Sequence, residues 1–104
     1  MGKLEDIGAL LETTGLPVAY GHFPADAPPT LPFVVYQFAY SNNYAADGVV
    51  YHQFDHIQID LYSRFKNTEA EDGVEKALSS YFWEKEEEFN DAEDVYRVTY
   101  EIEV

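Results

Sequence analysis

Asp94-Val95-Tyr96-Arg97-Val98-Thr99-Tyr100-Glu101-Ile102-Glu103-Val104 decides the fold. Tyr96, Val98, Tyr100, Ile102 and Val104 alternate with Val95, Arg97, Thr99, Glu101 and Glu103. A two-residue period this clean describes a strand over 94–104 with one buried face and one wet face, the pattern of an antiparallel sheet. Just upstream, Asn90-Asp91-Ala92-Glu93 reads as a turn. Trp83-Glu84-Lys85-Glu86-Glu87-Glu88-Phe89 reads either as a charged edge strand or as the end of a preceding helix.

Working back toward the N-terminus, residues 68–82 read as a helix. Asn67 or Thr68 caps it, Thr68 and Glu71 have capping-box spacing, and Glu69, Glu71 and Asp72 load its first turn with negative charge. Val74, Ala77, Leu78, Tyr81 and Phe82 form its expected apolar stripe. Residues 49–63 form a long strand with Ile57, Ile59 and Leu61 on one face and Gln58, Asp60 and Tyr62 on the other. Asp60 is expected to face solvent or a partner. Val50, His52, Phe54 and His56 share a face, which predicts a bulge or a change of environment near Asp55. Ser41-Asn42-Asn43-Tyr44-Ala45-Ala46-Asp47-Gly48 reads as a turn or flexible loop. Residues 33–40 form a strand whose even-numbered face, Val34, Tyr36, Phe38 and Tyr40, is aromatic. Four prolines within 24–32 exclude a helix or central strand there. Residues 18–23 read as a short strand. Residues 3–14 read as a helix with Leu4, Ile7, Leu10 and Leu11 on one face, closed by Gly15 and Pro17. The element order is α-β-β-β-α-β-β: a single α+β domain over 1–104, its sheet mostly antiparallel, its two helices packed on one face.

Composition narrows the chemistry. The 104 residues carry 20 acidic and 6 basic side chains, a formal charge of −14. That excludes a basic nucleic-acid footprint and disfavours attachment to an anionic membrane. Cysteine is absent, so disulfides, thiolate metal sites and Cys nucleophiles are excluded. No apolar run reaches membrane-spanning length, and Met1-Gly2-Lys3-Leu4-Glu5-Asp6 is not expected to be a secretory signal. His52 and His56 on one strand lie about 13 Å apart, too far to share an ion. Ser41, Ser63, Ser79 and Ser80 fall in no nucleophile turn, and Gly-rich phosphate loops are missing. Asp55 and Asp60 occupy opposite faces, poor geometry for paired acid–base work. The expectation is no enzyme and no cofactor or metal. Tyr40, Tyr44 and Tyr51 cluster around 41–48, and aromatic side chains are enriched where proteins meet. Glu84, Glu86, Glu87, Glu88, Asp91, Glu93 and Asp94 form an acidic run: a solvated face, a surface that repels DNA, or one that attracts a basic partner.

The chain resembles the small tail-completion and tail-terminator proteins of long-tailed phages and prophages of Gram-positive bacteria. The resemblance rests on Lys3-Leu4-Glu5-Asp6-Ile7 with Leu10-Leu11 and Gly15-Leu16-Pro17-Val18-Ala19-Tyr20; on Pro32-Phe33; on Ser41-Asn42-Asn43-Tyr44-Ala45-Ala46-Asp47; on Ile57-Gln58-Ile59-Asp60-Leu61-Tyr62; and on Tyr96-Arg97-Val98-Thr99-Tyr100-Glu101-Ile102. It implies a head–tail joining subunit that forms a ring, commonly a hexamer, at the head-proximal end of the tail tube. Its partners would be itself, the tail-tube protein and the head-connector protein. DNA would pass through without being bound specifically. The location would be the virion tail or neck, and the bacterial host cytoplasm before assembly. On this reading Tyr40, Asn42, Asn43, Tyr44, Asp47 and Tyr51 are expected at a subunit or partner interface, and Glu84, Glu86, Glu87, Glu88, Asp91 and Glu93 are expected to face the lumen. Two competing readings are an acidic DNA mimic that inhibits a host DNA-binding enzyme and a carboxylate-pair hydrolase.

Overall fold

Apolar side chains spaced for one face of each element assemble a sheet covered on one side. A computed structural model describes residues 3–27, 29–46 and 49–104; at Lys3 and over 42–46 and 49–54 it describes the backbone alone. The elements are α1 (Lys3–Glu12), β1 (Val18–Tyr20), β2 (Phe33–Ala46), β3 (Val49–Ser63), α2 (Thr68–Ala77), β4 (Trp83–Asn90) and β5 (Val95–Glu103). The strands form one sheet in the order β1-β2-β3-β5-β4. β1 runs parallel to β2 and every other pairing is antiparallel. The α+β class and the element order are those the alternation patterns predict.

Register explains the two faces. Leu61 pairs with both Val34 and Val98, Ile59 with Tyr36 and Tyr100, and Ile57 with Phe38 and Ile102, so these residues share one side. There the buried Val34, Ile57, Ile59, Leu61, Val98, Tyr100 and Ile102 meet Ile7 and Leu11 of α1, Ala70 and Val74 of α2, and Leu78 just past its end. Both helices therefore pack on the same face. Gly8 lets α1 approach the sheet: a methyl group there would collide with the Tyr36 hydroxyl. Gly15, at φ 79°, turns the chain out of the helix in the left-handed region that glycine tolerates best.

α2 is shorter than its sequence suggests. Asn67 caps it, its Oδ1 accepting from the Ala70 amide at 3.0 Å. Glu71 does not complete a capping box; its side chain is buried and held by two lysines. Lys66 Nζ donates to Glu71 Oε1 (3.0 Å) and sits 2.8 Å from Oε2, while Lys85 Nζ reaches Oε1 at 3.2 Å. The helix ends at Ala77, and the chain then turns to deliver β4, leaving Phe82 84% exposed rather than in the apolar stripe. The next residue, Trp83, packs edge-on against Tyr100 at 5.5 Å.

The Tyr100 hydroxyl, at the centre of the core, donates to Glu75 Oε2 at 2.8 Å. Burial and then the neighbouring Glu75 carboxylate push its pKa well above that of ordinary tyrosine. Glu75 itself lies below the usual carboxylate range: burial opposes its charge, but hydrogen bonds from Lys85 and Tyr100 outweigh it. The same carboxylate raises Lys85.

Of four local expectations, three are corrected and the second is met. First, 41–46 is strand, not loop, because β3 offers each residue a backbone partner. Second, the expected irregularity and change of environment near Asp55 are both present: β2 carries an extra residue between Phe38 and Tyr40, opposite Ile57 and His56, β5 pairs with β3 only from His56 onward, with the Asp55 amide and carbonyl bonding Val104, and a further register shift falls between Tyr44 and Ala45. The slip after Phe38 puts Tyr40 opposite His56 and on the other side from Phe38, splitting the aromatic face. Third, β1 stops at Tyr20, where Gly21 takes φ 80°. Fourth, Asp60 is buried at 4% exposure, as described below.

The molecule is long for its size. Its radius of gyration is 15.1 Å and its extents are 50 × 28 × 28 Å; a compact chain of this length would have about 13 Å. β1 pairs with β2 only over Val34–Tyr36, and the register of β5 on β3 starts at His56. Past these points, among the described residues, β2 and β3 continue as a two-stranded arm, paired from Asn42 with Phe54 to Ala46 with Val49.

Candidate functional site: the uncovered sheet face and the arm

Alternation sends every second side chain to the side of the sheet without helices. Lateral rows can be read from the register. Gln37, Gln58, Glu101 and Glu84 form one; Val35, Asp60, Thr99 and Glu86 the next; Phe33, Tyr62, Arg97 and Glu88 the third. His56 and Glu103 begin a fourth, beside Tyr40. Five glutamates, Glu84, Glu86, Glu88, Glu101 and Glu103, thus share this face with Arg97 and His56.

The row through Asp60 is tied together. Asp60 Oδ1 accepts from the Thr99 hydroxyl at 2.6 Å, and Oδ2 accepts from Gln58 Nε2 at 3.0 Å. Its neighbours close over it, so this carboxylate braces β3 against β5 rather than facing solvent. In the third row Arg97 donates to Glu88 at 3.0 Å. Burial and the Asp60 charge raise the Tyr62 hydroxyl, with Arg97 pulling the other way.

At one end of the face, Tyr40 stacks on His56 with ring centroids 4.1 Å apart and planes 12° from parallel. His56 also lies 3.4 Å from Glu103 and 3.9 Å from Glu101. Phe82, His56, Glu84, Glu101 and Glu103 line a depression of about 340 Å³. Gln58, Glu84, Glu86, Thr99 and Glu101 line a smaller one of about 190 Å³. Among the described residues, no three His, Asp or Glu side chains gather to hold a metal ion. The Ser63 hydroxyl is turned to the Phe65 carbonyl at 2.8 Å.

The acidic run is divided by the strand. Glu84, Glu86 and Glu88 stand on the uncovered face; Glu87 is on the helix side, ion-paired with Lys66. Asp91 and Glu93 are exposed in the β4–β5 turn, where Asn90 Oδ1 accepts from the Ala92 and Glu93 amides. Of the expected interface residues, Tyr40 stands at the arm's base, 45% exposed. Asn42, Asn43 and Tyr44 lie along the β2 side of the arm and Tyr51 on its β3 side. Asp47 lies outside the described residues. Glu101 and Glu103 join the acidic face although the acidic run did not include them. Their wet-side alternation was the available signal.

No protein-family model matches the chain, and no curated protein matches it. The fold is similar to that of a chain in a solved structure described as the virion of a native gene transfer agent (GTA) particle. The TM-score is 0.52 at 12% sequence identity, covering 94% of this chain and 83% of that one. At that identity the likeness is one of fold. No helix among the described residues is long and apolar enough to cross a membrane.

Proposed function

We propose that this protein is a structural subunit of a phage-type virion, and within it the tail-completion subunit that forms a ring at the head-proximal end of the tail tube. The observation that carries the reading is the fold likeness to a virion chain across nearly the whole of this one. In the ring, the arm meets a neighbouring subunit and the uncovered sheet face turns toward the channel. There Glu84, Glu86, Glu88, Glu101 and Glu103 repel the phosphates of passing DNA, so the genome slides without sticking. The protein acts by shape and self-contact and makes no bonds. Its partners are its own copies, the tube subunit and the head connector, and its place is the neck of the particle.

The test is removal of the coding sequence from a particle-producing strain, followed by electron microscopy. Overlong tails or unjoined heads and tails are expected; joined particles with tails of normal length would overturn the reading. A second reading, mimicry of DNA, draws on one observation: Glu84, Glu86 and Glu88 form a row on one face with a spacing of about 7 Å. It requires salt-sensitive binding to a DNA-binding enzyme, and absence of such binding removes it.

A further inference from the structure

The arm has two open edges. Among the described residues, no strand pairs with β2 past Tyr36 on its outer side, or with β3 before Asp55 on its own. The Tyr20 hydroxyl accepts from the Phe38 amide at 3.3 Å, so the free edge of β2 begins at Ala39. An edge of unpaired amides and carbonyls is a template for another strand unless something blocks it. The sheet's other long edge, β4, is blocked: Glu84-Lys85-Glu86-Glu87-Glu88 places five charges in a row. The arm has no such guard. From Ala39 to Phe54 the sequence contains no proline, no Lys or Arg, and one acidic residue, Asp47.

Charge points to the occupant. The remainder of the chain carries 19 of the 20 acids and all six bases. Two copies meeting through almost any other surface bring like charges together, whereas their arms meet nearly uncharged. A lone two-stranded ribbon is also marginal in water and gains from further strands.

We propose that the arms of adjacent copies pair edge to edge, β3 of one against β2 of the next, through their main chains. This rests on the ring reading above and specifies how the ring is joined. Because β2 and β3 are antiparallel, arms projecting side by side in one direction present antiparallel edges to each other. The contact is head-to-tail, and a head-to-tail contact that closes makes a ring. A ring of n copies carries a barrel of 2n strands in which neither arm edge is left open.

Amide hydrogen exchange on the full chain tests this, comparing dilute protein with protein assembled at high concentration in 1 M salt, where the screening length falls to ~3 Å. Alternate amides over 39–54 should slow by about tenfold or more on assembly, and the β4 amides should not. A variant with residues 42–53 replaced by Asn-Gly should keep the monomer's thermal transition and lose the oligomer. Assembly with unchanged exchange over 39–54, or an oligomer that survives in the shortened variant, would overturn edge pairing while leaving the ring reading standing. Failure of the intact chain to assemble at any salt or concentration would overturn both.

Discussion

The two halves of β3 are one strand in two environments. From Ile57 to Ser63 it has β2 on one side, β5 on the other and both helices over one face. From Val49 to Phe54 it has, among the described residues, β2 alone. The inner half is held by burial on one face and a hydrogen-bonded carboxylate on the other; the outer half is held by a single backbone ladder. Stability is concentrated in the first and available surface in the second, so a substitution in one should be felt where the other is indifferent.

The largest effect belongs to Ile59→Ala. Ile59 is fully buried between Tyr36 and Tyr100 beneath the helices, and the truncation should cost about 2–5 kcal/mol from lost burial and the cavity left behind. Urea unfolding measures it. A loss below about 1 kcal/mol would mean that the inner half is not the stable unit.

Asp60→Ala should come next, at about 1–3 kcal/mol, because it strips the acceptor from the Thr99 hydroxyl and the Gln58 amide on the opposite face of the same strand. A Thr99→Val, Asp60→Ala double-mutant cycle should return a favourable coupling. Additive losses would show that the row does not act as a unit.

Smaller still is Tyr100→Phe, which keeps the packing and removes the hydrogen bond to Glu75, for about 1 kcal/mol. It also reads out the pH dependence. Tyr100 and Lys85 are raised in the fold, so the stability they contribute is complete below their ordinary values of 10.0 and 10.5 and is lost as pH rises beyond them. Glu75 is lowered, so its contribution is complete above its ordinary value of 4.5 and is lost as pH falls through its folded value. Tyr100→Phe should flatten part of the alkaline decline. An unchanged alkaline limb would exclude the hydroxyl as its source.

The sequence made the inner half legible and the outer half misleading, for physical reasons. Ile57, Ile59 and Leu61, like Val98, Tyr100 and Ile102, alternate because burial on one face imposes a two-residue period, and that period survives in the sequence. Ser41-Asn42-Asn43 carries local preferences for turns, and only pairing with β3, a non-local gain, extends it. The apolar residues on both faces before Asp55 marked an irregularity there, but not that β2 carries the extra residue between Phe38 and Tyr40, so the stacking of Tyr40 on His56 could not be read. Glu71 resembled a capping residue because its two lysines, Lys66 and Lys85, come from separate segments and meet it only in the fold. The acidic face was half visible: the run at 84–88 stood out as charge, but only register adds Glu101 and Glu103 and removes Glu87 to Lys66.

The smallest expected effect is on the outer half. Replacing residues 42–53 by Asn-Gly removes much of the arm's ladder and leaves every pairing from Ile57 to Ser63 in place. For the isolated monomer the loss should fall within about 0.5 kcal/mol, since a two-stranded ribbon adds little stability of its own. Thermal unfolding followed by near-ultraviolet circular dichroism reports on the buried Tyr100 and its neighbour Trp83, and its midpoint should be that of the intact chain. A large drop would mean that the arm supports the body, and the two halves of β3 would then be one cooperative strand. An unchanged midpoint would leave the arm without a role in the monomer's stability, which is what a segment reserved for contact with another chain requires.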